Sequence, residues 1–186
     1  ATLSNGVTVT LTCTASTNTC IGTYTVGATG SGQDISDLTI ASYTSSSVTD
    51  AVGNTMTSTT LPVAPNNLGD AKALVIDTTA PTITVTSSDT APLITGETTT
   101  LTFTLSEPSA DFTLADITVA GGTLSAFTAV SPTVYTVIFT PTANSTTSAT
   151  VDVAASTFTD AAGNPNTALT QLSLSVDTTA PTITVT

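Results

Sequence analysis

A ten-residue segment occurs twice without change, and the distance between its copies constrains the fold of this 186-residue chain more than any other feature. The segment Asp-Thr-Thr-Ala-Pro-Thr-Ile-Thr-Val-Thr occupies 77–86 and again 177–186, 100 positions later. A period of that length matches one β-sandwich domain, whereas solenoid repeats have periods of about 20–50 residues. The sequence therefore predicts β-sandwich units in tandem, with Asp-Thr-Thr-Ala-Pro as the joint between them.

The stretch between the two joints contains seven short runs in which apolar and polar residues alternate, separated by turn residues. In the second run, for example, Leu101, Phe103 and Leu105 fall on one face. Seven short strands in about 100 residues is the number found in an immunoglobulin-like sandwich. We therefore predict an all-β chain of immunoglobulin-like β-sandwich domains, whose complete unit has strands at 82–86, 98–105, 115–119, 123–128, 133–140, 149–154 and 168–176.

The first 79 residues repeat the later part of this pattern. The sequence Tyr-Thr-Val at 24–26 matches 135–137, and Asp-Ala-Val-Gly-Asn at 50–54 matches Asp-Ala-Ala-Gly-Asn at 160–164. On this alignment the first unit lacks two strands and the start of a third. We expect an incomplete domain at 1–79, a complete domain at 80–179, and the first strand of a following repeat at 180–186.

Two interpretations explain a chain that begins and ends inside domains. The chain is an excerpt of a longer protein, or it is a subunit that lends its terminal strand to a neighbouring copy. A single lent strand cannot replace the two strands that the first unit lacks, which favours the excerpt.

The charge balance excludes several classes of function. The chain has 13 acidic residues and one basic residue, Lys72, with no Arg or His, so its net charge is -12. Binding to nucleic acid needs basic side chains, and the same deficit disfavours anionic membrane surfaces. No run long enough for membrane insertion is visible. One Lys cannot neutralise 13 carboxylates, so these must be solvated, hydrogen-bonded to backbone amides or bound to a cation.

The two cysteines bear on the compartment. Cys13 and Cys20 flank a short polar turn and could close a disulfide hairpin, although two free thiols are the alternative. With no His and no further Cys, a zinc site is implausible. A disulfide would indicate an oxidising, extracytoplasmic location.

Five motifs together resemble a known family. They are Leu-Ser-Glu-Pro at 105–108, Asp-Ile-Thr-Val at 116–119, Gly-Gly-Thr-Leu at 121–124, Phe-Thr-Asp-Ala-Ala-Gly-Asn at 158–164 and Val-Asp-Thr-Thr-Ala-Pro at 176–181. This combination resembles the bacterial Ig-like repeats of large tandem-repeat surface adhesins. The resemblance implies a secreted, surface-anchored stalk whose joints are stiffened by calcium. The first unit departs from the pattern through its Cys hairpin and a long loop around 61–70.

Oxygen-bearing side chains should converge on the joint at 77–81. In an immunoglobulin-like sandwich the loops after the second and sixth strands lie at the end where the first strand enters. Calcium takes six to eight oxygen ligands from carboxylates, amides, backbone carbonyls and water. The predicted calcium ligands are Asp77, Glu107, Asp111, Asp116, Asp160 and Asn164, with Asp177 beginning the next joint.

Plainer interpretations of these residues stay open. The segment 160–164 could be only a turn, in which Gly163 adopts a positive φ and Asp160 caps backbone amides. Asp34 and Asp37 of the first unit could add ligands, although a solvated loop is the simpler interpretation.

Catalysis has almost no support in the sequence. There is no His base, no Arg and no Trp platform for a sugar. We therefore predict a non-enzymatic stalk segment whose partners are neighbouring repeats of the same chain. One alternative is a filament or surface-layer subunit that polymerises with identical copies by strand complementation. Another is a module that binds a surface glycan or a protein receptor through the loop at 61–70.

Overall fold

The computed structural model describes residues 1–14, 19–44, 48–50, 52–56, 60–61, 68 and 73–185. The chain divides into two compact units, Ala1–Thr79 (unit 1) and Ala80–Thr186 (unit 2). The elements whose bounds the structure describes are β-strands and one short 3-10 turn, Leu114–Asp116. The strands are β1 Thr2–Leu3, β2 Thr12–Cys13, β3 Cys20–Ile21, β4 Ile40–Ser42, β5 Ile83–Ser87, β6 Thr99–Leu105, β7 Ile117–Ala120, β8 Gly122–Ser131, β9 Val134–Pro141, β10 Ala149–Val153 and β11 Leu172–Leu174.

Unit 2 is a sandwich of two antiparallel sheets. One sheet has the strand order β5-β6-β9-β8, and the other has the order β11-β10-β7. This arrangement, with the first, second, fifth and fourth strands in one sheet and the third, sixth and seventh in the other, is that of a constant-type immunoglobulin domain. All seven strands expected from the alternating pattern are present, and the predicted all-β, immunoglobulin-like fold is confirmed.

The alternation of Thr with large apolar residues explains which side of each sheet is buried. In β6, Leu101 and Phe103 have no exposed surface, while Thr102 between them is only half-buried. The neighbouring strand β9 contributes Val137 and Phe139 in the same way, and β10 of the opposite sheet contributes Val151 and Val153. Burying each Leu, Val or Phe side chain contributes about 1.5–3 kcal/mol.

Phe112 anchors the loop between β6 and β7 to this core. Its ring centroid lies 5.0 Å from that of Tyr135 and 5.1 Å from that of Phe158, both in edge-on geometry. Phe103 and Phe127 each lie 5.9 Å away. Edge-on aromatic contacts stabilise beyond the area that they bury. The loop is therefore held at its middle, close to the acidic residues on both sides of Phe112.

The last strand of unit 2 is shorter than predicted, because its ladder with β10 is interrupted before residue 172 and its last residues bond to Leu93 instead. Residues 172–174 pair with β10. Before them, Leu169 N–H donates to the Val153 carbonyl, and after them, Val176 forms a parallel bridge with Leu93. The alternating pattern at 168–176 is real, but only its centre forms a continuous ladder.

Unit 1 contains a strand pair that matches one in unit 2. Leu3 of β1 faces Ile40 of β4, as Val119 of β7 faces Val151 of β10. A small core of Leu3, Val9 and Leu38 lies beneath it, with Tyr24, Ile35, Ile40, Leu74 and Ile76 packed around.

The predicted disulfide is confirmed. Cys13 and Cys20 are bonded and join β2 to β3, so the alternative of two free thiols is wrong. Thr12 pairs with Ile21 beside the bond. The disulfide closes a two-stranded hairpin that has few buried residues of its own.

Two stretches with strand-like sequence form no strand. Residues 24–26 match the part of β9 that pairs with β6, but the described residues of unit 1 contain no counterpart of β6. Without that neighbour the backbone donors and acceptors of a strand would be unpaired. Residues 182–185, whose sequence equals that of 82–85, are also outside any strand, and Ile183 and Val185 are each 91% exposed.

The close approach of β8 to the core yields a test of this packing. A Cβ added to Gly122 would overlap the ring of Phe139 and the carbonyl of Thr140. Gly122→Ala should therefore destabilise unit 2 by about 1–3 kcal/mol, as overpacking a well-filled core does. Urea unfolding followed by circular dichroism measures the change. Thr123→Ala, at the exposed neighbouring position, is the control and should leave the midpoint within the error; equal midpoints for both variants would contradict the packing.

Candidate metal centre

Three carboxylates meet at the end of unit 2 where the chain enters. One carboxylate oxygen from each of Asp77, Glu107 and Asp160 lies within 4.8 Å of the others. Asp77 is three residues ahead of unit 2, Glu107 follows β6, and Asp160 is in the loop between β10 and β11. Asp160 is only 7% exposed, and the other two are half-buried. The structure therefore brings together three of the six predicted ligands of this joint.

Asp160 is held by the turn that follows it. Its Oδ1 accepts from the N–H groups of Ala162 at 2.8 Å and Asn164 at 2.9 Å, and its Oδ2 accepts from Asn164 Nδ2 at 2.9 Å. Gly163 has a φ of 90°, a region that favours glycine. The turn interpretation and the ligand interpretation are thus compatible. Asn164 orients Asp160, and its side-chain amide is hydrogen-bonded to that carboxylate.

Unit 1 contains the same turn without the same cluster. Asp50 Oδ1 accepts from Val52 N–H at 3.0 Å and Asn54 N–H at 2.9 Å, and its Oδ2 accepts from Asn54 Nδ2 at 2.8 Å. The Asn54 side chain and the backbone donors lower the pKa of Asp50 below its ordinary value. Among the described residues, Asp50 belongs to no group of three carboxylates. The turn alone therefore does not create the cluster.

Asp111 joins the two loops that carry Glu107 and Asp160. Its carboxylate accepts from Thr159 N–H at 3.0 Å and Thr159 Oγ1 at 2.9 Å, and from Ser109 Oγ at 2.7 Å. Burial by itself raises the pKa of Asp111, but the hydrogen bonds from Thr159 and Ser109 outweigh it and hold the pKa below its usual value. Asp111 is outside the group of three and fixes the residue next to Asp160.

The other predicted ligands have local roles. Asp116 Oδ2 accepts from Thr113 N–H at 2.7 Å and Thr113 Oγ1 at 3.0 Å, which caps the short 3-10 turn. Asp177 lies at the far end of unit 2, where its Oδ1 accepts from Thr179 N–H at 3.2 Å. The Thr-x-x-Asp spacing at 113–116 is a capping-box signature that could have identified the role of Asp116 from sequence.

Asp34 and Asp37 hold the chain of unit 1 rather than joining the cluster. The Asp34 carboxylate accepts from Thr78 N–H and Oγ1 and from Thr79 Oγ1. The hydroxyl of Thr78, followed by that of Thr79, lowers the pKa of Asp34. Asp37 Oδ1 accepts from Leu74 N–H at 3.3 Å. The loop at 61–70 lies outside the described residues except for 61 and 68.

Sequence reasoning missed Asn166, which organises the loop bearing Asp160. Asn166 is 3% exposed, and its side chain is fully engaged. Its Oδ1 accepts from Thr157 N–H at 2.8 Å and Phe158 N–H at 3.0 Å, and its Nδ2 donates to the carbonyls of Ala154 at 2.9 Å and Thr167 at 2.8 Å. Nothing in the local sequence distinguishes it from a solvated turn Asn.

The contacts of Asp111 predict a pH effect. Because its pKa is lowered in the folded state, the stability contributed by its ionised form is present above the unfolded pKa, about 3.9, and is lost as pH falls through the folded value. Asp111→Asn should destabilise unit 2 by about 1 kcal/mol at pH 7, since the site is exposed to solvent. The stability of the variant should also fall less than that of the wild type as the pH is lowered. Urea midpoints from pH 7 to pH 2 test this, with Asp152→Asn in β10 as the control. A variant profile parallel to that of the wild type would contradict it.

The comparison with known families agrees with the fold of unit 2. A family model described as "Bacterial Ig-like domain" matches residues 77–176, which include the seven strands of unit 2 and all three clustered carboxylates. No curated protein matches the chain. The described part of the chain has no helix with the length and apolarity needed to cross a bilayer. Domains of this family are generally non-enzymatic structural modules, typically found in extracellular or surface proteins. The chain belongs to the bacterial Ig-like domain family.

Proposed function

We propose that this chain is a segment of an extracellular stalk, in which calcium bound by Asp77, Glu107 and Asp160 holds the entering chain against the loops of unit 2. The observation that carries the proposal is the group of three carboxylates, with ligand oxygens within 4.8 Å of one another. Membership of a family of structural surface modules supports the same function.

The spacing of the three oxygens suits calcium. Calcium–oxygen distances are about 2.3–2.6 Å, so oxygens on opposite sides of one ion lie roughly 4.6–5.2 Å apart. Oxygens that are all within 4.8 Å of one another can therefore share one ion. Carboxylates are also the hard ligands that calcium prefers, and water and backbone carbonyls can complete its coordination.

Electrostatic repulsion among the three carboxylates favours a bound cation. Two carboxylates about 4.8 Å apart repel by about 1 kcal/mol in water and by roughly 3.5 kcal/mol at an effective dielectric constant of 20. The cluster contains three such pairs, and the whole chain has a single basic side chain, Lys72. A divalent cation replaces these repulsions with attractions. Hydrogen bonds from the turn stabilise Asp160 but do not relieve its repulsion from Asp77 and Glu107.

The segment that enters unit 2, residues 77–81, makes contacts that would help a bound ion to stiffen it. Pro81 is buried, its ring limits φ, and its carbonyl accepts from Thr167 N–H at 3.0 Å. Asp77 lies four residues before it, so an ion on Asp77 would fix the chain at a second point. A segment held at two nearby points resists bending.

Unit 1 fits this proposal as the later part of a second sandwich. It shares with unit 2 the strand pair β1–β4 and the turn at 50–54. A stalk built from such units in tandem would repeat the same joint along its length.

Calcium should raise the melting temperature of the wild-type chain, and a chelator should reverse the rise. A ligand at one hundred times its Kd stabilises the folded state by about 2.7 kcal/mol. Asp160→Asn and Asp77→Asn should each abolish most of the calcium response in differential scanning calorimetry. Asp50→Asn is the matched control, because it disrupts the same turn in unit 1 without touching the cluster. Identical melting in calcium and in chelator would refute the calcium site.

Stiffening is a separate expectation with its own measurement. Spin labels on cysteines placed at the exposed positions Val52 and Val130 would report the distance between the units. Because the native cysteines are bonded to each other, the spin labels would react only with the introduced cysteines. Calcium should narrow the distance distribution in the wild type and leave it unchanged in Asp77→Asn. If calcium binds but the distance distribution does not narrow, the ion site would be supported and its stiffening role would be contradicted.

A further inference from the structure

An apolar groove opens at one side of unit 2, next to the strand β8. It has a volume of about 540 Å³, which is within the range of sites that hold a ligand. The strand β8 lines it at Phe127 and Ala129, and the loop between β6 and β7 lines it at Pro108 and Ala110. All of the residues that line the groove belong to unit 2. The groove is therefore a feature of one sandwich and does not depend on the neighbouring unit.

A bulge in β8 directs Phe127 toward the groove. The register with β9 shifts between Ser125 and Thr128, so that Ala126 and Phe127 together lie opposite the single residue Val137. Ala126 has a φ of 52°, a region that costs energy for a residue with a side chain. Bulges re-aim side chains and are frequent beside functional sites. The strand thus carries a local distortion whose effect is to place an aromatic ring at the groove.

The hydroxyl groups that line the groove are hydrogen-bonded within the protein. Tyr135 O–H donates to the Ser109 carbonyl at 2.8 Å, and Ser109 Oγ donates to the Asp111 carboxylate at 2.7 Å. The Oγ atom of Ser131 accepts from Thr133 N–H at 3.3 Å. The surface left for a ligand is mainly carbon, from proline, alanine and phenylalanine side chains. An apolar side chain fits such a surface, whereas a sugar would find few hydrogen-bonding partners there.

The side of the groove formed by β8 is open to an extended chain. The strand β8 is the last in the order β5-β6-β9-β8 and so lies at the edge of its sheet. Ala129 is exposed, although it pairs with the buried Tyr135 and points to the same face. An edge strand offers backbone donors and acceptors to another extended segment. The two register shifts in β8 keep such a ladder short, so the apolar contact would supply most of the binding.

Negative charge borders the groove. Glu107, Asp111 and Asp160 are each adjacent in sequence to a residue that lines it. Burial, followed by the charge of Asp111, raises the pKa of Tyr135, so the field of this carboxylate reaches the aromatic lining. The chain has a single basic residue, Lys72, and one Lys cannot neutralise three carboxylates. A ligand with a positive charge beside its apolar part is therefore complementary to the groove.

We propose that this groove binds an extended peptide segment of a protein partner, with a large apolar side chain in the groove and an adjacent Lys or Arg beside Asp111. The apolar side chain would contact Phe127 and Ala129, and the basic side chain would give the site its preference over acidic segments. The proposal goes beyond the stalk function and requires no ion, because Asp111 is outside the group of three clustered carboxylates.

A library of random short peptides displayed on phage, selected on the whole chain in the presence of chelator, tests the groove. Peptides that also bind the variant Ala129→Lys are removed, since this variant places a long, positively charged side chain in the groove. The remaining peptides should share a large apolar residue next to Lys or Arg. Thr123→Lys adds the same charge at another exposed position of β8 and should still bind them.

A synthetic copy of an enriched peptide measures the two parts of the site separately. Ala129→Lys should weaken its binding by more than about tenfold, because the new side chain blocks the groove and repels the basic residue. Asp111→Asn should weaken it by about two- to fivefold, the effect of losing one exposed ion pair. High salt should have a similar effect on the wild type. Urea unfolding of each variant verifies that it is folded under the conditions of the binding measurement.

Nuclear magnetic resonance locates the peptide on the wild type without relying on a variant. The backbone amide signals of Ala110, Phe127 and Ala129 should shift on titration, while those of β5, at the other edge of the sheet, stay in place. Shifts confined to another surface, enrichment of acidic sequences, or no enrichment on the wild type over Ala129→Lys would each overturn the proposal. A concentration-dependent dimer of the wild type in sedimentation, lost in Ala129→Lys, would assign the groove to a second copy and also overturn it.

The calcium response separates this proposal from the proposed function. Because the selection is made in chelator, a failure of the calcium site leaves the peptide result unchanged. Ala129→Lys should lose peptide binding and keep the calcium-dependent rise in melting temperature, since it touches none of the three clustered carboxylates.

Discussion

The hydrogen bond from a backbone N–H to a carboxylate is the interaction on which the loops of this protein depend. With 13 acidic residues and one basic residue, ion pairs cannot organise the chain. Asp50, Asp111 and Asp160 instead accept backbone hydrogens from the loops that they shape. Such bonds to a charged acceptor are worth about 1.5–3 kcal/mol each where solvent is excluded and less where it is not. They order the loops but leave the charge in place. Negative charge is concentrated where the loops bring Glu107 and Asp160 together with Asp77.

The joint motif combines several functions in five consecutive residues. Its Asp contributes to the carboxylate group, its second residue is a buried Thr that bonds to a loop of the unit it ends, and its Pro restricts the chain that enters the next strand. Thr suits the second position because it offers a donor and an acceptor on a β-branched side chain whose rotamers are already restricted. A Val there would fill the same space and leave the loop's backbone groups unsatisfied. Chemistry thus explains three of the five positions of the repeated motif.

Alternation of residues along the chain was sufficient to predict the seven strands of unit 2, because the two-residue period of a strand is directly visible when Leu101 and Phe103 point inward and Thr102 does not. The candidate ligands were chosen by a second argument, from the end of the sandwich at which their loops lie. The structure places three of these six side chains close together. The same reasoning failed to separate Asp111 and Asp116 from them, since the direction of a side chain within a loop depends on hydrogen bonds that spacing does not encode. Thr178 was missed because Thr is so abundant here that a buried one looks like its neighbours. The stretch at 24–26 has a strand sequence, but the part of unit 1 that the structure describes holds no neighbouring strand that would pair with it.

The proposed function assigns stiffness to the contacts of the segment that enters unit 2. In that proposal the carboxylate group acts where the chain enters unit 2, and its effect would depend on an ion that can be removed. Loss of the ion should therefore let the entering segment move while the sandwich stays closed. The two units differ in the contact that the buried second residue of the motif makes. In unit 1, Thr78 bonds to the carboxylate of Asp34, whose pKa is lowered by that contact. Protonation of Asp34 in strong acid would remove the charge from these hydrogen bonds, whereas in unit 2 the Thr178 hydroxyl bonds to backbone groups of Thr142 and Ser145, which do not titrate.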